Sequence, residues 1–401
     1  MTTRSPLALF FLGSVLATLT SIGGWILAPI ESVYLTSLTD NGFLIGLTYA
    51  LGSILVAGLG LYLGRLSDGM GRKKILLIGL SIGIIFPIVY ASSLNIFMYM
   101  GGKSLWAFTM VATGPVLGAY LQSLVQGMPR RGHYLSMLYG GMSLSGAFGH
   151  YAGGWLFEFV GDKAPFYALA SIYLVSTLIA WLLLHEDPAQ NKHLSESNSQ
   201  PHDIFFGIRY IFSRVALKYY FILNSSFAVA YSIKLLLWPL IIFSFTTSSE
   251  VMGLIFAMTG VVAFLVFFFS GRVVDNFGVY TGINIAFVSL IVGGILMGFA
   301  PGVYTFIAGA FFFTIGEAFY GSAQGVLLID HVENRYRGEV LGVDSVLDRG
   351  FGAVAMLMAG TFLLIISPQI VWMIFIVLMI VSYFVAIKYR SARKEKFDVV
   401  E

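Results

Sequence analysis

The chain contains no cysteine. Disulfides, thiolate nucleophiles and cysteine-ligated metal or iron–sulfur centres are therefore excluded. Charge is scarce: Asp, Glu, Lys and Arg make up 11% of 401 residues, against 58% hydrophobic residues and a mean hydropathy of +0.86. Soluble domains carry roughly 25% charged residues, so most of this surface must face lipid. There is no P-loop, no nucleophile elbow and no cluster with metal-ligand spacing. ATP hydrolysis is then not intrinsic, no cofactor is implied, and an enzyme is not expected.

What is present is long and apolar. Twelve runs, near 7–30, 43–63, 75–92, 96–122, 135–157, 165–184, 216–242, 251–270, 280–299, 303–329, 341–366 and 370–388, are each long enough to be spans. A hydrocarbon core of roughly 30 Å takes about 20 helical residues. Continuous runs rather than ten-residue alternation predict helices and not a β-barrel. The first run is too long for a signal-peptide core and reads as an uncleaved first span.

Twelve spans place both termini on one side. All but four of the 23 Lys and Arg fall on that side, the exceptions being Lys163 in an opposite connector and Lys103, Lys234 and Arg349 within spans. The positive-inside rule makes that side the cytoplasm. The bases set topology, so no nucleic-acid partner is invoked.

The chain repeats itself. Gly64-Arg-Leu-Ser-Asp68-Gly-Met-Gly71-Arg72-Lys73-Lys74 returns 207 residues later as Gly271-Arg-Val-Val-Asp275-Asn-Phe-Gly278. A second connector, Arg131-Gly132, recurs as Arg337-Gly338 at an offset of 206. Two such matches imply parallel repeats of six spans related by an axis along the membrane normal. Residues 1–185 read as the N-terminal six-helix bundle and 216–390 as the C-terminal one. Residues 186–215 read as a cytoplasmic linker, polar and proline-bearing at first, then amphipathic over 204–214 and suited to the inner leaflet. Residues 391–401 form a cytoplasmic tail.

The first connector resembles the signature of the major facilitator superfamily, Gly-x-x-x-Asp-Arg-x-Gly-Arg-Lys. Gly64, Asp68, Gly71, Arg72 and Lys73 match it, and Gly69 stands where Arg is usual. The likeness covers essentially the whole chain. It implies an all-α polytopic membrane protein with 12 transmembrane helices in two six-helix pseudo-symmetric bundles. It also implies a conformational latch at Gly64, Asp68, Gly71, Arg72 and Lys73, joined by Asp275 of the second copy and by Asp344 at the start of span 11.

Charges inside spans need a reason, since each costs at least about 2.5–3.5 kcal/mol on insertion scales. Lys103 resembles the family's span-4 Arg, with Trp106, Ala107 and Pro115 three, four and twelve residues on. It reads as a cavity-facing cation. By the resemblance, Lys234 in span 7 and Glu317 in span 10 line the central cavity, and Glu317 is the chief candidate for loading and releasing a proton. Tyr231 and Trp106 offer flat faces to a solute. Asp348 and Arg349 are read as a gating ion pair. Gly141, Ser145, Gly149 and Gly153-Gly154 resemble the span-5 antiporter signature, with His150 in place of its Pro, and His150 is a further titratable candidate. Glu31 reads as an outer-rim charge.

The reading at this level is a monomeric secondary transporter in the cytoplasmic membrane. It moves a small organic solute by alternating access, with proton-coupled efflux of an amphipathic compound preferred. Uptake by symport or a uniporter is the alternative within transport, and a transporter-like sensor or assembly factor is the alternative outside it. The expected partners are a small-molecule substrate, protons and membrane lipid.

Overall fold

A computed structural model describes residues 6–125, 131–184, 204–333 and 337–392. The polar part of the linker, the end of the tail, Arg130 and Arg335 lie outside the described residues. Everything regular is helical, and no strand occurs among the described residues. Lipid enforces this, because a backbone group left unpaired in hydrocarbon costs several kcal/mol and a helix satisfies its own.

The first span is broken: α1 (Pro6–Ile26) and α2 (Glu31–Leu38) are joined by a turn at Pro29. There follow α3 (Gly42–Met70), α4 (Arg72–Ala91) and α5 (Ile96–Val111). A five-residue π turn, Ala112–Val116, leads into α6 (Leu117–Leu124) and completes the fourth span. Pro115 lies inside that turn, where its missing N–H forces the widened ladder. Spans 5 and 6 are α7 (Arg131–Phe159) and α8 (Ala164–Leu183). A short α9 (Ile204–Ser213) occupies the amphipathic stretch. The second set is α10 (Val215–Phe245), α11 (Ser249–Phe277), α12 (Val279–Gly298), α13 (Val303–Asp330), α14 (Arg337–Phe362) and α15 (Pro368–Ser391).

Ten helices among the described residues are long and apolar enough to cross a membrane. The helices at expected spans 5 and 11, α7 with 29 residues and α14 with 26, have the length but carry more glycine and charge. Local chemistry starts the helices where the sequence turns polar. Asn41 caps α3 by accepting from the amides of Phe43 and Leu44, and Asn95 caps α5 by accepting from Met98. Each satisfies donors that a helix start leaves orphaned.

The chain folds as two compact units, Met1–Ser199 with Ser248–Gly260, and Gln200–Thr247 with Val261–Glu401. In the first, α1 packs on α7 and α4 on α8; in the second, α12 packs on α13 and α10 on α15. The first turns of α11 join the first unit because glycines let backbones touch. Gly154 lies against the Ser249 carbonyl and Gly253 against that of His150. The small-residue stripe of span 5 works the same way toward α1. A Cβ on Gly149 would sit 2.4 Å from the Ile22 oxygen, and one on Gly153 1.8 Å from the Ile26 oxygen.

Gly153→Ala should therefore destabilise the detergent-purified protein by roughly 1–3 kcal/mol, the usual cost of overpacking. Gly118→Ala, whose Cβ meets nothing within 4 Å, should leave the melting temperature unchanged; equal effects would contradict the packing assignment.

Candidate functional site

Helix α10 carries a ladder of polar groups, Tyr220, Asn224, Tyr231 and Lys234, through an otherwise apolar span. At its middle, Lys234 Nζ donates to both carboxylate oxygens of Glu317 on α13, at 2.8 Å each. The two side chains are only 9% and 15% exposed. The ammonium also lies over Trp238 at 4.4 Å, Tyr231 at 5.7 Å and Phe313 at 5.8 Å. Ring faces carry negative charge density and suit a cation that has left water. Trp238 is itself locked edge-on by Phe306, Phe313 and Trp372. This packing fixes the lysine and leaves the carboxylate as the more accessible partner.

Nearly three turns toward the start of α10 lies a second polar knot. Asn224 Nδ2 donates to Asp344 at 3.1 Å and to Asp348 at 2.7 Å, both on α14. Tyr220 donates to the other oxygen of Asp344, and Tyr320 of α13 donates to the amide oxygen of Asn224. Asp344 was expected at a latch between connectors. Instead it is buried, with both oxygens occupied inside its own unit. Asp348 was expected to pair with Arg349, its sequence neighbour. Among the described residues it forms no ion pair and takes its hydrogen bond from Asn224. Residues adjacent on a helix diverge around the axis, whereas the fourth residue back lies on the same face.

Asn224 is the hub that sequence reasoning passed over, since Asn-Ser-Ser within a span reads as a chance glycosylation pattern. The available signal was its place: an amide in the middle of an apolar run needs partners inside the protein.

The first unit holds a pair of its own. Lys103 on α5 bonds Glu31 at the start of α2, and Tyr99 donates to the same carboxylate oxygen at 2.7 Å. The lysine side chain is 3% exposed, so it does not reach for headgroups, and the Glu31 side chain at 11% is no solvated rim charge. Trp106 and Tyr49 flank the ammonium at 4.6 and 5.0 Å. His150 is buried between Trp25 and Phe256, ring centroids 5.2 and 5.5 Å away.

The two repeated connectors owe their likeness to backbone geometry. Gly71, between α3 and α4, has φ 99°, and Gly278, between α11 and α12, has φ 87°. Both lie where a side chain costs roughly 1–2 kcal/mol. Arg72 donates to the Ala119 carbonyl at 2.9 Å, and Lys73 binds the Trp181 and Leu184 carbonyls at the end of α8. Cations at helix C-termini complement the dipole. Asp275 is exposed near the end of α11. Gly64 and Asp68 lie in α3, and the Asp68 side chain is outside what is described.

The sequence profile of the Major Facilitator Superfamily fits residues 13–240 and 221–399, nearly the whole chain. The chain belongs to the Major Facilitator Superfamily. An uncharacterized MFS-type transporter of Methanocaldococcus jannaschii is 22% identical over 325 residues, 81% of this chain and 83% of the relative. Two crystal structures of the nucleoside transporter NupG share the fold at 17% identity. An aspartate-to-alanine variant has a TM-score of 0.81, covering 95% of this chain and 99% of its own. The other has a TM-score of 0.77, with 95% and 98% covered. The protein is thus a multi-pass membrane protein of a transporter family.

A buried pair tolerates the loss of both charges better than the loss of one. Glu317→Gln or Lys234→Met alone should each destabilise by about 3–5 kcal/mol, and the double replacement by Met should recover most of that. Thermal unfolding in detergent reads this, and a double variant no better than the singles would refute it.

Proposed function

We propose that the chain is a secondary transporter of the cell membrane, with both termini cytoplasmic, that exports a small amphipathic solute in exchange for protons, with Glu317 as the coupling acid. The Lys234–Glu317 pair carries this reading. Both carboxylate oxygens face one ammonium, so a proton arriving on Glu317 and a donor group of a solute compete for the same two atoms. Competition for one site is what antiport requires. The ring face of Tyr231 beside the ammonium gives a flat solute apolar contact. The basic connectors support the orientation. Arg72, Lys73, Gly71 and Gly278 act as pivots at the helix ends, with Asp68 and Asp275 beside them. The Asp344–Asn224–Asp348 knot joins α10 to α14 so that both move together. The transporter acts as a monomer, without a cofactor and without catalysis.

A second reading takes its solute from the shared fold with the nucleoside transporter NupG. Under it, a nucleoside-sized metabolite moves inward.

In proteoliposomes, Glu317→Gln should reduce accumulation driven by a pH gradient at least about tenfold, a barrier change of roughly 1.4 kcal/mol, while counterflow exchange persists. Ethidium and a panel of labelled nucleosides serve as solutes. Gradient-driven accumulation at the wild-type rate would remove Glu317 as the coupling site, and nucleoside entry without ethidium exit would favour the second reading.

A further inference from the structure

The Glu31–Lys103 cluster leaves one buried hydroxyl without a partner among the described residues. The ammonium of Lys103 finds one hydrogen-bond acceptor among the described residues, Glu31 Oε1, and that oxygen already accepts from Tyr99. Its remaining N–H groups look onto rings, including Tyr90 at 5.8 Å and Tyr99 at 5.9 Å. Tyr90 lies stacked on Tyr99, centroids 3.8 Å apart and planes within 11°. Its side chain is fully buried, and its hydroxyl has no hydrogen-bond partner among the described residues. A buried hydroxyl left unpaired is costly. The neighbouring helix adapts to keep the ring there: a Cβ on Gly102 would come within 2.7 Å of it.

The broken first span adds a second observation. The turn at Pro29 ends α1 and places Glu31 at the first residue of α2. Broken helices in transporters serve binding.

We propose that Lys103 and Tyr90 form a subsite for an uncharged oxygen acceptor of the solute, a carbonyl of the ketone or amide kind. A buried hydroxyl donor without a partner calls for an acceptor. The Glu31–Lys103 pair is already neutral, so an added carboxylate would leave an uncompensated charge in a buried site, whereas a carbonyl accepts two bonds and adds no charge. The stacked tyrosines and Trp106 favour a flat group carrying that carbonyl. The inference rests on the transport reading only in calling the occupant a solute.

The test uses two probes of similar shape, acetophenone and ethylbenzene, of which only the first has a carbonyl. Full-length protein in detergent is melted with each, alongside benzoate as the charged acceptor. Acetophenone should stabilise the wild type more than ethylbenzene or benzoate does. Tyr90→Phe should weaken its apparent affinity about fivefold, the scale of one neutral hydrogen bond, while Tyr304→Phe, at an exposed tyrosine, leaves it unchanged. Without probe, Tyr90→Phe should melt no lower than the wild type, because the hydroxyl it removes has no partner. Equal stabilisation by ethylbenzene, full retention of acetophenone binding by Tyr90→Phe, stronger binding of benzoate, or a less stable probe-free variant would each overturn the subsite. Binding is read here without flux, so a protein that binds acetophenone as described but moves nothing across vesicles would sink the transport reading and leave the subsite standing.

Discussion

Every charged side chain that this chain carries into its spans must be paired or hydrogen-bonded within the protein, and that constraint organises both units. A lone ammonium or carboxylate in hydrocarbon costs several kcal/mol. The protein meets this by pairing acid with base across two helices and covering the pair with rings. In the second unit the pair is Lys234 and Glu317, in the first Glu31 and Lys103. Each pair ties helices that hydrophobic contact alone would not orient, because lipid competes equally for apolar faces.

The two pairs occupy corresponding spans with the signs exchanged. Spans 1 and 4 supply the acid and then the base; spans 7 and 10 supply the base and then the acid. Duplicated halves keep the backbone plan, as Gly71 and Gly278 show, while side chains diverge under the condition that buried charges find partners. The geometries diverge as well. Lys234 holds both oxygens of its partner, whereas Lys103 shares one oxygen with a tyrosine. The first arrangement is saturated and suits a switch between paired and unpaired forms. The second leaves the Tyr90 hydroxyl without a partner among the described residues and suits recognition.

Much of this was legible before any coordinates. Apolar run length marked the spans, because lipid admits one backbone solution. The doubled glycine connector marked the halves, because a positive φ admits little but glycine. Glu317 and Lys234 stood out because charge inside an apolar run always needs a cause. Less legible were the partners. Asp348 and Arg349 look paired because they are adjacent, yet adjacency on a helix separates them, and Asn224 stands between the acids instead. Glu31 looked like a rim charge because it follows the first apolar run, but the break at Pro29 turns the chain back into the protein. Lys73 reads as part of a charged latch, and the carbonyls its ammonium reaches, at the end of α8, could not be read from the sequence.

The sequence by itself determined the class of protein, the two-fold internal repeat and the bias of basic residues, since these follow from hydropathy, composition and spacing along one dimension. Only the tertiary structure decided who neutralises whom. Glu31 and Lys103 are 72 residues apart and Lys234 and Glu317 83 apart. Nothing in either segment names its partner, because the choice is made by which helix faces meet once the glycine-lined spans have closed on one another.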